Sequence, residues 1–362
     1  MSTPILQFGT SRFLQAHADL FVSEAMQAGQ ALGPITVVQT SGDPARAGRI
    51  GALSAPEGFP VIIRGLENGA PVEQTLWVRS VTRSLSTATD WDVVTRIFVE
   101  EARLVLCNTG DKGYALVEAD SLDGVPHSFP MKLLALFRAR FEGGGASLTV
   151  LPCELISRNG DVLKRLILDL ALQYAPDPEL AVWLSERVIW GNTLVDRIVS
   201  EPIEPAGAIA EPYAIWAIER QPGLTLPCEH ASIKVVDDLT PYERLKLHIL
   251  NLGHTVLADR WLKDSRPEAE CVKDILADAA IRTELEAIYR DEVVPGFGLH
   301  ALGEEAEAYV ATTLDRFLNP YLDHRLRDIA GNHAEKILRR IIGFQDWCPG
   351  VAMPRLSAIA AR

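Results

Sequence analysis

A chain of 362 residues with a 48% hydrophobic fraction is long enough for two or three domains with separate cores. Its net charge of -13, with no run rich in Lys or Arg, excludes a nucleic-acid binder, which needs a basic footprint to neutralise phosphates. There is no uninterrupted run of about 18 apolar residues to cross a membrane, and Met1-Ser2-Thr3-Pro4 leads directly into an apolar strand without the regions of a signal peptide, so a cytoplasmic protein is expected.

Residues 5–8 read as a buried strand, Gly9-Thr10-Ser11-Arg12 as a turn, and residues 13–28 as a helix that ends where residues 29–34 break its spacing. Residues 35–40 form a second strand, β-branched and uniform in polarity as a central parallel strand should be. This is a βαβ unit of the mononucleotide-binding kind. Residues 41–55, with Gly42, Pro44 and Gly48, are loop-like, and the segments 61–63 and 76–78 read as a hairpin. A helix over 90–101, a strand over 104–107, a helix over 129–141, a strand over 147–151 and a helix from Gly160 to about Tyr174 follow. This alternation predicts an α/β, Rossmann-like domain with parallel pairing. Strand-like pieces at 188–190, 197–199, 212–218 and 231–236 extend it into a mixed sheet, and beyond Asp238 the pattern is helical to Ile342. The predicted domains are therefore 1–237, binding a dinucleotide, and 238–362, a mainly helical substrate and catalytic domain. The five cysteines (Cys107, Cys153, Cys228, Cys271, Cys348) are odd in number, dispersed and never in a C-x-x-C pair, which fits reduced thiols and no metal site.

Gly9 keeps only the first glycine of a dinucleotide fingerprint, but its place between first strand and first helix aims backbone N–H groups at a pyrophosphate. The second strand ends in Gln39 where an acid usually binds the ribose hydroxyls; Gln39 can donate and accept, and Arg46 and Arg49 downstream are either 2′-phosphate contacts or solvated loop charges. Asn192 follows Gly191, a turn-like setting, or serves as an amide donor to a developing alkoxide. Tyr242-x-x-x-Lys246 mimics the Tyr/Lys pair of short-chain dehydrogenases, although that pair belongs inside a single Rossmann domain.

The most informative stretch opens at Thr240. Thr240 suits an N-cap, Pro241 the first helical position, and Glu243 follows as in a capping box. At ~100° per residue Glu243, Lys246, Asn251 and His254 lie within an arc of about 140° on one face, which is either a solvated stripe or a set of catalytic groups.

Lys246-x4-Asn251-x2-His254 preceded by Asp237-Asp238-Leu239-Thr240-Pro241-Tyr242-Glu243 resembles the signature of the polyol-specific long-chain dehydrogenases, the mannitol dehydrogenase family. Further matches are Asn108-Thr109 through Gly113, Phe129-Pro130-x-Lys132, Leu151-Pro152-Cys153-Glu154-Leu155-Ile156 with Asn159-Gly160, Asn192-x-x-Val195-Asp196-Arg197, Glu211-Pro212-Tyr213 with Trp216, and Arg316-Phe317-x-Asn319-Pro320 with Lys336. The resemblance implies metal-free hydride transfer between a nicotinamide cofactor, NAD with NADP as the alternative, and a secondary alcohol. It makes Lys246 the general base, Asn192 and Asn251 the oxyanion donors, His254 a substrate-orienting group and Glu243 a proton relay or gate. Phe8, Gly9, Thr10, Ser11, Arg12, Phe13, Gln39, Asn108, Thr109, Glu154 and Asn159 would line the cofactor, and His254, Arg327, Asp328 and Lys336 the substrate.

Three departures stand out: Ser11 replaces a second glycine, the second strand lacks its terminal acid, and Asp328 aligns with an arginine that holds the substrate in members acting on mannitol. The motifs are closer to the altritol and tagaturonate or fructuronate reductase side of the family. The expected substrate is a five- or six-carbon polyol of altritol or mannitol type; an aldonate, clamped by Arg327, Arg340 or His324, is the alternative, and a non-catalytic dinucleotide sensor the remoter one. The expected partners are small molecules, with no nucleic acid or membrane, in a monomer or a dimer.

Overall fold

The computed structural model describes residues 2–41, 43, 47–110 and 113–361. Arg46, Asp111 and Lys112, each part of a segment singled out above, lie outside the described residues. The chain divides into two compact units: residues 1–63, 74–210 and 214–239 form the first, and residues 64–73, 211–213 and 240–362 the second.

The first unit is built on a parallel six-stranded sheet. Its strands are β1 (Ile5–Phe8), β2 (Ile35–Gln39), β5 (Val81–Ser86), β6 (Leu104–Cys107), β7 (Leu148–Pro152) and β8 (Val188–Trp190), in the order β5-β2-β1-β6-β7-β8. Strands β1, β2, β6 and β7 are buried at every position, as strands covered on both faces must be. Alternate side chains feed two cores. Ile5, Val37, Leu104 and Leu106 pack on one face, and Leu6, Phe8, Val38, Val105 and Cys107 on the other with the helices Trp91–Glu100, Phe129–Glu142, Asn159–Tyr174 and Pro178–Glu186. The helix after β1 runs over residues 12–27 with a wide π turn at Gln15–Asp19.

Two smaller sheets complete the strands. The hairpin β3 (Phe59–Glu67) and β4 (Ala70–Val78) joins β10 (Val199–Pro202) and β11 (Ala208–Ala210) in the order β10-β11-β3-β4, while β12 (Ile215–Glu219) lies between β9 (Thr193–Asp196) and β13 (Ile233–Val236). Five elements escape the sequence reading, the helix Ala47–Leu53 in the supposed loop, the edge strand β5, the helix Pro178–Glu186 and the strands β9 and β11, and the piece read at 197–199 is strand only from Val199 on.

The second unit is helical apart from the hairpin tip assigned to it. Thr240–Leu245, a π turn at Lys246–Leu250, and Asn251–Lys263 follow without a break. Leu245, Ile249, Leu252, Val256 and Leu257 bury one side of this rod among Ile288, Tyr289, Phe297, Phe317, Ile341 and Phe344. Helical segments continue past Ile342 through Gly343–Trp347 and Pro354–Ala360. No helix among the described residues is long and apolar enough to cross a membrane.

Candidate active site

In the first unit, the strand ends and the turn after β1 gather the residues expected to line a dinucleotide. Gly9 has φ +114°, and a Cβ there would stand 2.5 Å from the Asn108 carbonyl oxygen, so only glycine lets the ends of β1 and β6 approach this closely. Ser11, which replaces the second glycine, caps the following helix: its Oγ accepts from Leu14 N–H at 3.2 Å. The helix therefore still begins with oriented N–H groups.

Several side chains expected to face a cofactor are engaged by the protein. Phe8 is fully buried against Phe129, with ring centroids 5.5 Å apart, so its side chain belongs to the core. Arg12 ion-pairs with Glu204 at 2.6 Å and donates to the Gly207 carbonyl, while Phe13 stacks on His17. Thr10 is buried, and its carbonyl accepts from Gln15 Nε2 at 3.1 Å. Gln39 is buried and donates to Ser41 Oγ at 3.2 Å and to the Asp43 carbonyl at 3.0 Å, shaping the turn after β2. Arg49 pairs with Glu204 at 3.6 Å.

Glu154 gathers four donors: Thr109 N–H and Oγ1, Tyr114 Oη and Cys107 Sγ. Burial raises its pKa and the Thr109 N–H opposes the rise. Its role in the structure is to fasten the segment after β6 to the end of β7. Asn108 adds a bond to the Cys153 carbonyl at 2.8 Å. Asn159 is fully buried, donates to the Pro152 and Glu154 carbonyls and accepts from Gly160 and Thr193 N–H, so its amide knits β7 to β9. Asn192 is fully buried too; its Oδ1 accepts from Asp161 N–H at 3.0 Å and its Nδ2 donates to Glu219 at 2.7 Å.

In the second unit the central rod carries Glu243, Lys246 and Asn251, all half-buried, and His254, buried. The π turn changes their phase. Asn251 N–H is shared between the Leu247 carbonyl, four residues back, and the Lys246 carbonyl, five back, and one extra residue in a turn shifts everything beyond it by about 100°. Lys246, Asn251 and His254 then fall within an arc of about 60°, narrower than a regular α-helix would give. The His254 ring lies edge-on to His324, with centroids 4.8 Å apart, and 4.5 Å from Phe317.

A cationic group borders this face. Arg340 donates to the Asn251 carbonyl and to Thr255 Oγ1, each at 3.1 Å, and Lys336 Nζ donates to the Ile329 carbonyl at 2.7 Å. The pKa of Lys336 is lowered by burial and by the charge of Arg340, and that of His324 by burial, against the opposing pull of Asp328, and by Arg316 and Lys336. Arg327 does not join them: it is half exposed and pairs with Glu268 at 2.5 Å and weakly with Asp328.

Two sequence motifs meet in one buried contact. Arg316 and Glu211 form a two-point ion pair, Nε to Oε2 at 2.9 Å and Nη2 to Oε1 at 2.8 Å, with side chains 3% and 2% exposed. The guanidinium also lies 4.6 Å from the Tyr213 ring centroid and donates to Tyr309 Oη.

Sequence reasoning missed Tyr289, whose hydroxyl donates to the Ile249 carbonyl at 3.0 Å, and Asp19, buried beneath the turn after β1. Tyr289 lies 40 residues beyond its partner, with no local pattern to flag it. Among the described residues no group of three or more His, Cys, Asp or Glu is placed to hold a metal ion.

A family model described as the mannitol dehydrogenase Rossmann domain matches residues 3–226, and one for the mannitol dehydrogenase C-terminal domain matches residues 238–345. The chain is 30% identical to altronate oxidoreductase of Escherichia coli O1:K1 / APEC over 367 aligned positions, covering 93% of this chain and 74% of that protein. Among solved structures, D-sorbitol dehydrogenase in a substrate-free form is similar with a TM-score of 0.80 at 22% identity, covering 95% of this chain and 75% of that one. Pseudomonas fluorescens mannitol 2-dehydrogenase, in a ternary complex with NAD and D-mannitol, is similar with a TM-score of 0.73 at 19% identity, covering 100% and 78%.

Proposed function

The chain belongs to the mannitol dehydrogenase family of oxidoreductases, and from that premise we propose that it oxidises a secondary hydroxyl of a sugar acid of the altronate kind to the ketone, reversibly, with NAD and without a metal ion. The single observation that carries this reading is the Lys246, Asn251 and His254 face bordered by Lys336 and Arg340. Two like charges close enough for one to lower the proton affinity of the other favour an anion between them, and an aldonate carboxylate supplies it. The similarity to an altronate oxidoreductase over 93% of the chain supports the same choice.

The residues around Gly9 fit a dinucleotide: the missing Cβ lets the end of β1 close on Asn108 after β6, and the capped helix over residues 12–27 begins at that turn with its N-terminus. NAD, when bound, supplies the hydride acceptor. Lys246 takes the hydroxyl proton. Asn251 stabilises the developing alkoxide, and His254 orients a neighbouring hydroxyl. Glu243, one turn before Lys246, passes the proton onward.

A neutral polyol is the second reading. It is favoured by Asp328, whose negative charge acts on His324 and would repel an aldonate carboxylate.

The test is a panel of altronate, other aldonates, altritol and mannitol with NAD and NADP, read by the absorbance of the reduced nicotinamide. Turnover on aldonates supports the first reading and turnover on alditols alone the second, whereas cofactor binding with no turnover points to a sensor. Lys246→Ala is expected to lose about 100-fold in turnover while still binding NAD; turnover like the wild type removes Lys246 as the base. Chelator treatment should leave the rate unchanged, and a loss restored by zinc refutes the metal-free chemistry.

A further inference from the structure

The wide turn at Lys246–Leu250 is held from one side by a contact that requires two particular residues. Its Ile249 carbonyl accepts from the Tyr289 hydroxyl at 3.0 Å, and Tyr289 is 1% exposed. That hydroxyl occupies the space of a missing side chain, since a Cβ on Gly253 would stand 1.9 Å from the Tyr289 oxygen and 2.9 Å from a Phe317 ring carbon. Glycine at 253 and a phenol at 289 thus form one fitted pair, a hydroxyl seated where a methyl would be.

Resting on the reading of Lys246 as the base, we propose that Tyr289 and Gly253 are positioning residues: they hold the π turn in its wide form and so bring Asn251 and His254 into line with Lys246. A π turn is a rare departure from regular helix and persists where tertiary contacts favour it. This turn has such contacts on two sides, the phenol on the Ile249 carbonyl and Arg340 on the Asn251 carbonyl. Burial also raises the Tyr289 pKa well above the ordinary phenol range, so the hydroxyl remains a donor at any working pH. Without the clasp the turn loosens, and groups that must sit close to a developing alkoxide lose their alignment.

Tyr289→Phe removes the hydroxyl and keeps the buried ring, so the chain should fold. In steady-state assays with NAD and the best substrate of the panel, kcat is expected to fall about 10-fold while the KM for NAD is unchanged. Amide hydrogen exchange over residues 246–254 should accelerate about 10-fold, with protection elsewhere retained. Gly253→Ala, whose methyl meets the hydroxyl, should lose more, and adding Tyr289→Phe to it should recover part of that loss. A kcat within twofold of the wild type overturns the positioning role, and unchanged exchange over residues 246–254 overturns the clasp, as do single losses that simply add in the double variant. Failure of the base itself reads differently: Lys246→Ala would then keep its turnover, while exchange in Tyr289→Phe would still report on the turn.

Discussion

Removing the Glu211 carboxylate should destabilise the second unit by several kcal/mol without touching the proposed reacting groups. Glu211 and Arg316 are bonded at two points and are almost fully removed from water, at 2% and 3% exposure. Deleting one partner of such a pair leaves the other charge buried and uncompensated, which costs about 3–5 kcal/mol. In Glu211→Ala the Arg316 guanidinium keeps the face of Tyr213 and the Tyr309 hydroxyl, neither of them a counter-ion. At about 2–4 °C per kcal/mol for a domain-sized cooperative unit, the midpoint of thermal unfolding followed by circular dichroism should drop on the order of 10 °C. Replacing both partners with apolar residues of similar volume, Glu211→Leu with Arg316→Met, should cost less than either single change, because no orphaned charge remains. A Glu211→Ala midpoint within roughly 2 °C of the wild type, or a double variant that loses the sum of the singles, refutes this account of the contact.

Two further predictions concern the first unit. Burial raises the pKa of Asp19 from 3.8 to about 8, with Gln7 Nε2 at 3.4 Å as the opposing hydrogen bond. The folded chain therefore holds a proton that the unfolded chain releases between about pH 4 and pH 8, so this residue makes stability fall as pH rises through that window. Asp19→Asn cannot ionise, and thermal melts should show it more stable relative to the wild type at pH 8.5 than at pH 5; a constant difference would remove Asp19 as the titrating group. Gly9→Ala forces a Cβ to 2.5 Å from the Asn108 carbonyl at φ +114°, at a cost of about 1–3 kcal/mol in strain, and should weaken NAD binding in a fluorescence titration at least about 10-fold. An affinity equal to that of the wild type would show that the close approach at Gly9 is not what admits the cofactor.

The Rossmann-like half was legible because its central strands are buried on both faces and read as continuous apolar runs between helical periods. What escaped was the edge. β5, Val81-Thr82-Arg83-Ser84-Leu85-Ser86, has one buried position and otherwise polar or half-exposed side chains, so it lacks the signature by which β1 and β6 declare themselves. The residues expected to line a cofactor share a neighbourhood, the ends of the parallel strands, but several of their polar atoms are taken by the protein itself. Glu154 and Asn159 stand at the carboxyl ends of the parallel strands, as their motifs suggest, but their polar atoms are spent on Thr109, Cys107, Thr193 and backbone carbonyls. A motif records that a polar atom is needed at a place in the chain; whether the need is a ligand or a neighbouring strand depends on contacts distant in sequence, 45 residues between Thr109 and Glu154 and 34 between Asn159 and Thr193.

The helix of Lys246 shows the same limit in its sharpest form. A wheel drawn at 100° per residue puts Lys246 and Asn251 about 140° apart, nearly on opposite flanks of the face they are meant to share. No residue between them, in Leu247-His248-Ile249-Leu250, is a glycine or proline that would announce a break. On the clasp proposed above the register change is held from outside the segment, where the Tyr289 hydroxyl takes the Ile249 carbonyl and Arg340 the Asn251 carbonyl, while within it Asn251 N–H is shared between the Leu247 and Lys246 carbonyls. With that one residue absorbed, the lysine, the amide and the imidazole converge to about 60°, and a spacing that is merely permissible on a regular helix becomes a compact acid–base face. The four-residue gap between Lys246 and Asn251 is thus matched to the wide turn: relaxing the full-length rod to regular helix would set the proposed base and amide about 140° apart, whereas deleting one of residues 247–250 and closing the rod to regular helix leaves them about 40° apart, so turnover should survive that deletion. Turnover lost in such a deletion, with its crystal structure showing a regular helix and Lys246 and Asn251 still on one face, would show that the alignment is not what the chemistry uses.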